Sequence, residues 1–226
     1  MIEFHYNTGP NPRKVALLLE EAGLPYRAVP LDTRKGEQHQ PAFRALNPNG
    51  KAPALVDEDG TVLFDSNAIL LHLAETRGVF LPEDPKLRGP MLSWLMFIAS
   101  GIGPYMGQAV HFGRFAPPDN AYGVRRYRNE AIRHWTVLDG QLAAGPWILG
   151  RDYTIADMAA WGWADRIAFA LDEEDAEARF PNVKRWRATI DARPAAARAK
   201  ALGADVAWKT ETDEEARRHL FPSIYA

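Results

Sequence analysis

The spacing of apolar residues changes once along this chain, near residue 85, and the change limits the folds open to it. Before that point short apolar runs alternate with helical patterns, and after it apolar residues recur three and four positions apart. Strands interleaved with helices predict a sheet, whereas successive helical patterns predict helices packed on helices. We therefore expect an α/β domain at 1–79, a linker at 80–86 and an all-α domain at 87–226.

The first thirty residues predict a β-α-β unit. Ile2–Tyr6 and Tyr26–Leu31 are short apolar strands. Between them, Asn11 can cap a helix that has Pro12 at its first position and ends at Gly23. A helix between two neighbouring strands makes the strands parallel.

A hairpin and a helix start are predicted within Asn49–Leu71. Pro53–Val56 and Val62–Phe64 are joined by Asp59-Gly60, a strong signal for a tight turn. Ser66 then opens a helix, where its hydroxyl and the unpaired backbone N–H groups can cap the helix or bind a carboxylate. With a short helix before it, this segment completes a β-α-β-α-β-β-α order and a mixed four-stranded sheet. A strand edge beside such a helix start suits a small zwitterionic peptide.

The second half of the chain is predicted to be helical. Met91–Ala99 is apolar, and Thr154 and Asp157 form a capping pattern before a helix that we expect to run through Leu171. The longest helix is marked by an apolar stripe of Tyr127, Ala131, Trp135, Leu138 and Leu142. A further helix is predicted at Pro181–Ala192, and the pattern of 203–226 assigns it no role.

Composition excludes several kinds of chemistry. The chain has no cysteine, so it has no disulfide, thiolate metal site or nucleophilic thiol of its own. Its six histidines lack metal-ligand spacing, and a net charge of −2 does not favour nucleic acid or an anionic membrane. Without a transmembrane run or a signal segment, a cytoplasmic protein that binds no metal is expected.

Four motifs in order give the chain a resemblance to a known family. They are Asn11-Pro12-Arg13-Lys14-Val15, Lys51-Ala52-Pro53-Ala54-Leu55, Asp65-Ser66-Asn67-Ala68-Ile69-Leu70 and Tyr153-Thr154-Ile155-Ala156-Asp157. Together they resemble the cytosolic glutathione transferases over nearly the whole chain. The segments Thr8–Asn11 and Lys35–Gln38 are most similar to the bacterial nu class, which is related to Ure2.

The resemblance implies a thioredoxin-like first domain that binds glutathione and a helical second domain that closes a pocket for a co-substrate. It also implies a homodimer. Relatives of this branch favour disulfide reduction and hydroperoxide chemistry with glutathione, so the expected co-substrate is a disulfide, a peroxide or an electrophile. Because the chain lacks cysteine, the reacting sulfur must arrive with the ligand.

The resemblance implies that the hairpin and the helix start bind glutathione. Pro53 would be a cis-proline, and the backbone of Ala52 would pair with the cysteinyl part of the tripeptide. Asp65 would take the γ-glutamyl ammonium, and Ser66 with the helix N–H groups would take its carboxylate. The alternatives are an edge strand that begins with proline, and helix capping by Ser66.

The expected catalytic residues are Asn11 and Thr8, which would stabilise the glutathione thiolate. Capping explains Asn11 equally well from the sequence alone. Family members usually place a Ser or Thr where this chain has Gly9, one position after Thr8. That departure favours an alternative function, a non-catalytic glutathione-binding or protein-interaction module.

The remaining expected site residues come from three regions. Gln38 and Lys51 match positions that bind the glycine end of glutathione in similar proteins, and Arg133 matches an arginine used near the tripeptide. Solvated loops and an exposed helical arginine are the alternatives. Tyr105, Phe112 and Phe115 are candidates for the co-substrate pocket, although they are equally suited to the core.

Overall fold

The computed structural model describes residues 1–225, which form two compact units. One unit contains Met1–Ile69 and the described residues from Arg198 onward, and the other contains Leu70–Ala197. No helix among the described residues has the length and hydropathy needed to cross a membrane.

The first unit is built on a four-stranded sheet with the order β2-β1-β3-β4. Its strands are β1 (Ile2–Tyr6), β2 (Tyr26–Pro30), β3 (Ala54–Val56) and β4 (Val62–Phe64). β1 and β2 are parallel, and the other two pairs are antiparallel. The predicted β-α-β unit, the hairpin and the mixed sheet are confirmed.

Three helices follow the strands of this unit in the predicted order. They are α1 (Pro10–Ala22), α2 (Pro41–Leu46) and α3 (Ser66–Arg77). The buried side of α1 carries a run from Val15 to Leu19, none of it more than 1% exposed, and Gly23 closes the helix in the left-handed conformation. The sequence prediction placed the start of α1 wrongly, because the helix begins at Pro10 with Gly9 as its N-cap.

The C-terminal segment completes the first unit. After α10 (Pro194–Ala201) the chain passes through an irregular stretch into α11 (Glu214–Leu220) and the short α12 (Pro222–Tyr225). Trp208 packs its ring edge-on against Tyr6, and the backbone N–H of Lys209 donates to the Asp32 carboxylate at 2.7 Å. These contacts tie the segment to β1 and to the loop that follows β2, which the sequence did not predict.

The second unit is helical, as predicted. It contains α4 (Arg88–Phe97), α5 (Gly103–Arg114), α6 (Ala121–Leu142), α7 (Ile155–Ala164), α8 (Ile167–Leu171) and α9 (Pro181–Asp191). A π-helical turn, Ile98–Ile102, joins α4 to α5. The single helix expected through Leu171 is wrong, because α7 ends at Ala164 and α8 starts afresh at Ile167.

Two buried polar side chains organise the second unit. The carboxylate of Asp157 accepts hydrogen bonds from the backbone N–H groups of Thr154 and Ile148 and from Trp186 Nε1, all at 2.9–3.0 Å. The predicted capping role of Asp157 is therefore confirmed. His134 occupies the space beside Gly101, where a Cβ atom would lie 2.5 Å from its Nε2. Glycine in the π turn therefore makes room for a buried histidine of α6.

Candidate functional site

The turn into β3 carries the cis-proline that the sequence predicted. The Ala52-Pro53 peptide bond is cis, and Pro53 is buried. The preceding loop is fixed by Asn47, whose amide Nδ2 donates to Lys51 O at 2.5 Å and whose Oδ1 accepts from Asn49 N at 2.9 Å. Among residues 1–225 no protein group pairs with the backbone N–H or C=O of Ala52.

Asp65 and Ser66 lie where β4 passes into α3. Asp65 has a positive φ of 70°, and its Oδ1 accepts hydrogen bonds from the N–H groups of Asn67 at 2.8 Å and Ala68 at 3.2 Å. The capping role that the sequence offered to Ser66 is thus performed by Asp65. Ser66 is only 3% exposed, and its Oγ accepts a hydrogen bond from Lys14 Nζ at 3.3 Å.

The turn before α1 brings Thr8 and Asn11 to the start of that helix. Asn7 Oδ1 accepts a hydrogen bond from Gly9 N at 2.9 Å, which closes a tight local turn. A Cβ atom at Gly9 would lie 2.8 Å from the same Oδ1, so a side chain at this position would displace the Asn7 side chain from the turn. Thr8 is exposed, and Asn11 lies inside the first helical turn. Because Gly9 is the N-cap, capping no longer explains Asn11.

A small cleft of about 30 Å³ opens beside this turn. Its lining from the N-terminal part includes Tyr6, Thr8, Gly9 and Arg13, and the segment Ala199–Leu202 contributes the opposite side. Thr8 therefore faces a cleft, as a site residue must, although the cleft itself is too small for a tripeptide.

Gln38 and Lys51 lie on loops of the first unit, and their surroundings differ. Lys51 is exposed, whereas Gln38 is 4% exposed. The Gln38 amide nitrogen donates to Thr33 O at 3.1 Å and to His219 O at 2.9 Å, while its Oε1 is buried and without a hydrogen bond. The C-terminal segment thus accepts a hydrogen bond from Gln38, the side chain that the resemblance assigned to a ligand.

The other four expected residues belong to the helical unit. Arg133 lies on the exposed side of α6, where its Nη2 is 2.9 Å from Glu130 Oε2 and its guanidinium lies against the His134 ring. The hydrogen bond from Arg133 lowers the pKa of Glu130 below its ordinary value, against a smaller opposing effect of desolvation. Arg133 is therefore held in position by its own helix.

The three aromatic candidates form an aromatic cluster in the helical unit. The rings of Tyr105 and Phe112 both contact Tyr127, at centroid distances of 6.4 and 4.9 Å, and the Phe115 ring lies 6.5 Å from that of His111. An open groove of about 410 Å³ is lined by other residues of the same stretch of α6. Its lining consists of Ala121, Val124, Arg125, Arg128, Asn129, Ile132, Leu171 and Glu173, so it includes none of the three.

Sequence reasoning missed two residues of the site. It assigned no site role to Lys14, whose side chain is 1% exposed and whose amine contacts Ser66. The available signal was a lysine near a helix N-terminus, where a positive charge is unfavourable. It also overlooked Asn7, whose spacing to a glycine two residues later is typical of a side chain that closes a turn.

No group of three histidine, aspartate or glutamate side chains among residues 1–225 has the arrangement needed to hold a metal ion. The groups that these segments offer for chemistry are hydroxyls, amides, the buried amine and backbone N–H groups.

Two family descriptions match the chain in the expected order. Residues 8–76 match the glutathione S-transferase N-terminal domain, and residues 121–189 match the C-terminal domain of the same family. The disulfide-bond oxidoreductase YfcG of Escherichia coli K12 is 41% identical over 205 residues, which cover 88% of this chain and 94% of the relative.

Solved structures with the same fold include bacterial and fungal proteins. A glutathione transferase family member from Pseudomonas fluorescens Pf-5, solved with two glutathione molecules, has a TM-score of 0.83 and 38% identity, covering 88% of this chain and 92% of that one. The glutathione transferase URE2P8 of Phanerochaete chrysosporium, solved with oxidized glutathione, has a TM-score of 0.84 and 32% identity, with coverage of 91% and 96%.

Proposed function

Because the chain belongs to the glutathione S-transferase family, in its nu-like and Ure2-like part, we propose that it binds glutathione and uses the bound thiol to reduce disulfides. The observation that carries the proposal is that the chain has both a cis Ala52-Pro53 peptide and Ser66 at the start of α3. These two features supply a free backbone edge and a hydroxyl at a helix N-terminus within one unit.

In the proposed complex, glutathione adds as a short strand beside Ala52. The backbone N–H and C=O of Ala52 pair with the cysteinyl residue, as extended peptides pair with a sheet edge. Ser66 Oγ and the first N–H groups of α3 hold the γ-glutamyl carboxylate, because a helix N-terminus favours an anion. Asp65 uses one carboxylate oxygen for capping, and its exposed carboxylate is the partner for the ammonium group.

The glycine end of glutathione is assigned to Lys51. Gln38 requires a local change before it can take part, because its amide donor is engaged by Thr33 O and His219 O. Tyr105, Phe112 and Phe115 remain the candidates for co-substrate contacts in the helical unit.

The proposed chemistry places the thiolate beside Asn11, with Thr8 as a second donor. Hydrogen bonds to a thiolate lower the pKa of a thiol from its ordinary value of about 8.5 and raise the reactive fraction at neutral pH. The thiolate attacks one sulfur of a disulfide, forms a mixed disulfide and releases the other sulfur as a thiol. A second glutathione then resolves the mixed disulfide, so two thiols are oxidised and one disulfide is reduced.

Two relatives support a reaction that uses two glutathione molecules. YfcG is named a disulfide-bond oxidoreductase, and the Pseudomonas fluorescens protein was solved with two glutathione molecules. A homodimer is part of the same proposal, by analogy with the family.

Calorimetric titration with glutathione tests the binding part, and steady-state kinetics test the reaction. We expect turnover of a disulfide such as hydroxyethyl disulfide to exceed turnover of cumene hydroperoxide and of an aryl halide. Asn11→Ala should lower kcat/KM for the disulfide by about a hundredfold, as expected for loss of a donor to a developing anion, with little change in the Kd of glutathione. Unchanged kcat/KM would show that Asn11 is not the thiolate donor.

A second candidate function is a non-catalytic glutathione-binding or protein-interaction module. The observation in its favour is Gly9, which has no hydroxyl and whose N–H is bound by the Asn7 side chain at 2.9 Å. Binding of glutathione without turnover of any of the three co-substrates would establish this alternative. Absence of glutathione binding would remove both functions.

A further inference from the structure

Lys14 is a fully buried lysine behind the proposed glutathione site. It is the fifth residue of α1, it is 1% exposed, and its Nζ donates to Ser66 Oγ at 3.3 Å. Ser66 lies 52 positions later in the chain and is 3% exposed. Burying an amine is costly unless it is neutral or paired with an anion, and the partner here is an uncharged hydroxyl.

The charged group that acts on Lys14 is the carboxylate of Asp65. Burial lowers the pKa of Lys14 from 10.5 to about 7, while Asp65 opposes that shift. No ion pair joins Lys14 to a carboxylate among residues 1–225, because Asp65 directs its Oδ1 to the N–H groups at the start of α3. The amine is therefore only partly protonated near neutral pH, and a nearby anion would change that fraction.

The hydrogen-bonding capacity of an amine depends on its charge. A neutral amine has a lone pair and can accept a hydrogen bond from the Ser66 hydroxyl, whereas an ammonium group can only donate hydrogen bonds. When Lys14 is protonated it must donate to Ser66 Oγ, and the Ser66 proton must then point to a different acceptor. Protonation of Lys14 thus turns Ser66 into a donor toward the proposed ligand.

A carboxylate bound by Ser66 would also lie close to the amine. An O–H···O hydrogen bond spans about 2.7 Å, so an oxygen that accepts from Ser66 Oγ lies within about 6 Å of Lys14 Nζ. An anion at that distance in a buried site favours the ammonium form. Binding of the anion and protonation of the lysine therefore support each other.

We propose that Lys14 is a proton-coupled positioning residue, which takes up one proton from solvent when the α-carboxylate of the ligand docks on Ser66. The proton forms a new N–H bond with the lone pair of Nζ, no bond of the ligand is made or broken, and the Ser66 proton turns toward the carboxylate. This inference rests on the proposed function, since it specifies how the same site recognises its ligand. It makes affinity for glutathione and its S-substituted derivatives depend on pH.

Calorimetry with S-methylglutathione tests the proton uptake directly. This ligand has no thiol proton, so ionisation of the sulfur cannot mask the effect. Titrations between about pH 6 and 8 in two buffers of different ionisation enthalpy give the number of protons bound with the ligand. We expect uptake that approaches one proton above pH 7, with the Kd rising by up to about tenfold per pH unit there.

Two variants separate Lys14 from the other titrating groups. Lys14→Met is close in size and uncharged, and it should bind S-methylglutathione with a Kd that no longer follows the pH and with the extra proton uptake abolished. Lys184→Met removes an exposed lysine of α9 and should behave like the wild type. Proton uptake by the ligand's own amine occurs with all three proteins. The difference in proton uptake between Lys14→Met and the other two proteins therefore measures the contribution of Lys14.

The possible results distinguish this inference from the proposed function. Tight binding by the wild type with no proton uptake would overturn the role of Lys14 and leave the glutathione site intact. Proton uptake by Lys14→Met equal to that of the wild type would overturn it as well. No binding of either glutathione or S-methylglutathione at any pH would instead overturn the proposed function. The wild-type measurement decides the question even where a variant does not fold.

Discussion

At the scale of single residues, the burial of Lys14 has a consequence for stability that is independent of any ligand. The unfolded chain keeps this amine protonated up to its ordinary pKa of 10.5, whereas the folded protein loses the proton at about pH 7. Between those values the unfolded state binds more protons, so the stability of the wild type rises as the pH rises from about 7 toward 10.5.

Lys14→Met should remove that dependence. At 1.36 kcal/mol per pKa unit, we expect the free energy of unfolding of the wild type to gain about 2–3 kcal/mol between pH 7 and 9 relative to the variant. The variant should be the more stable protein at pH 7. Urea unfolding at three pH values measures both effects, with Lys184→Met as the control. Parallel curves for the wild type and Lys14→Met would contradict the prediction.

Gly101 is a residue whose identity depends on a single contact, with the ring of His134. A Cβ at this position in the π turn would lie 2.5 Å from Nε2 of the buried His134, so Gly101→Ala forces the ring or the turn to move. We expect a loss of about 1–3 kcal/mol in the free energy of unfolding, as for other overpacked sites.

Gly140→Ala is the matched comparison for Gly101→Ala. Gly140 also lies in a helix of the same unit, but a methyl group added there would have nothing within 4 Å. Alanine at this position should raise stability by about 0.5–1 kcal/mol through helix propensity. Thermal unfolding of the two variants should therefore move in opposite directions, and equal shifts would show that His134 adapts freely.

At the scale of elements, one carboxylate makes a central contribution to the attachment of the C-terminal segment. Asp32 accepts from the N–H groups of Lys209 at 2.7 Å and of Arg34 at 3.1 Å. Burial alone would raise the pKa of Asp32, but these backbone hydrogen bonds and Lys35 lower it overall. Its contribution is therefore present at neutral pH and is lost as the pH falls below the range of an ordinary aspartate.

Asp32→Ala should loosen the segment without unfolding the unit. Loss of a hydrogen bond to a charged acceptor costs about 1.5–3 kcal/mol, so amide exchange in 207–220 should accelerate by at least about tenfold. Hydrogen-exchange mass spectrometry measures this rate. Asp205→Ala, an exposed position in the same segment, is the control and should leave the rate unchanged. Equal protection in both variants would assign the attachment to Trp208 instead.

The elements that sequence reasoning predicted are those fixed by neighbouring residues. Asp59-Gly60 specifies its hairpin, Gly23 ends its helix, and Pro53 follows a local motif, so each needed only a short stretch of chain. The break between Ala164 and Ile167 and the segment after Ala201 depend on distant packing. Apolar spacing continues through the break, so it gave no warning of it.

The same distinction applies to the candidate site. Ser66 and Ala52 could be proposed from the sequence because a helix start and a proline turn have local signatures, which carry the family resemblance. The burial of Lys14 depends on a partner 52 positions away, and the engagement of Gln38 depends on a backbone carbonyl 181 positions away. Neither contact follows from spacing or composition, since both exist only after the chain has folded.

At the scale of the whole molecule, the lack of cysteine predicts how a disulfide reaction can proceed. Every exchange step must take place between glutathione and substrate sulfurs, because the protein has no thiol to share. After incubation with glutathione disulfide, mass spectrometry under denaturing, non-reducing conditions should therefore show the unmodified mass.

Activity should likewise survive treatment with iodoacetamide once the reagent has been removed. The same treatment should inactivate a variant whose activity depends on an introduced cysteine, and that variant provides the positive control. A mass increase equal to one glutathione, or inactivation by the reagent, would show that another side chain of the protein reacts covalently.

The discontinuous first unit has a consequence for the order in which the chain is made and folded. Its sheet is synthesised before the helical unit, whereas Trp208, Lys209 and α11 are synthesised after it. The helical unit, which is continuous in sequence, is complete before those residues are synthesised. Nascent β1 and the loop after β2 must therefore wait until the whole helical unit has been synthesised before they meet these partners, which makes them a natural surface for chaperones to protect during synthesis.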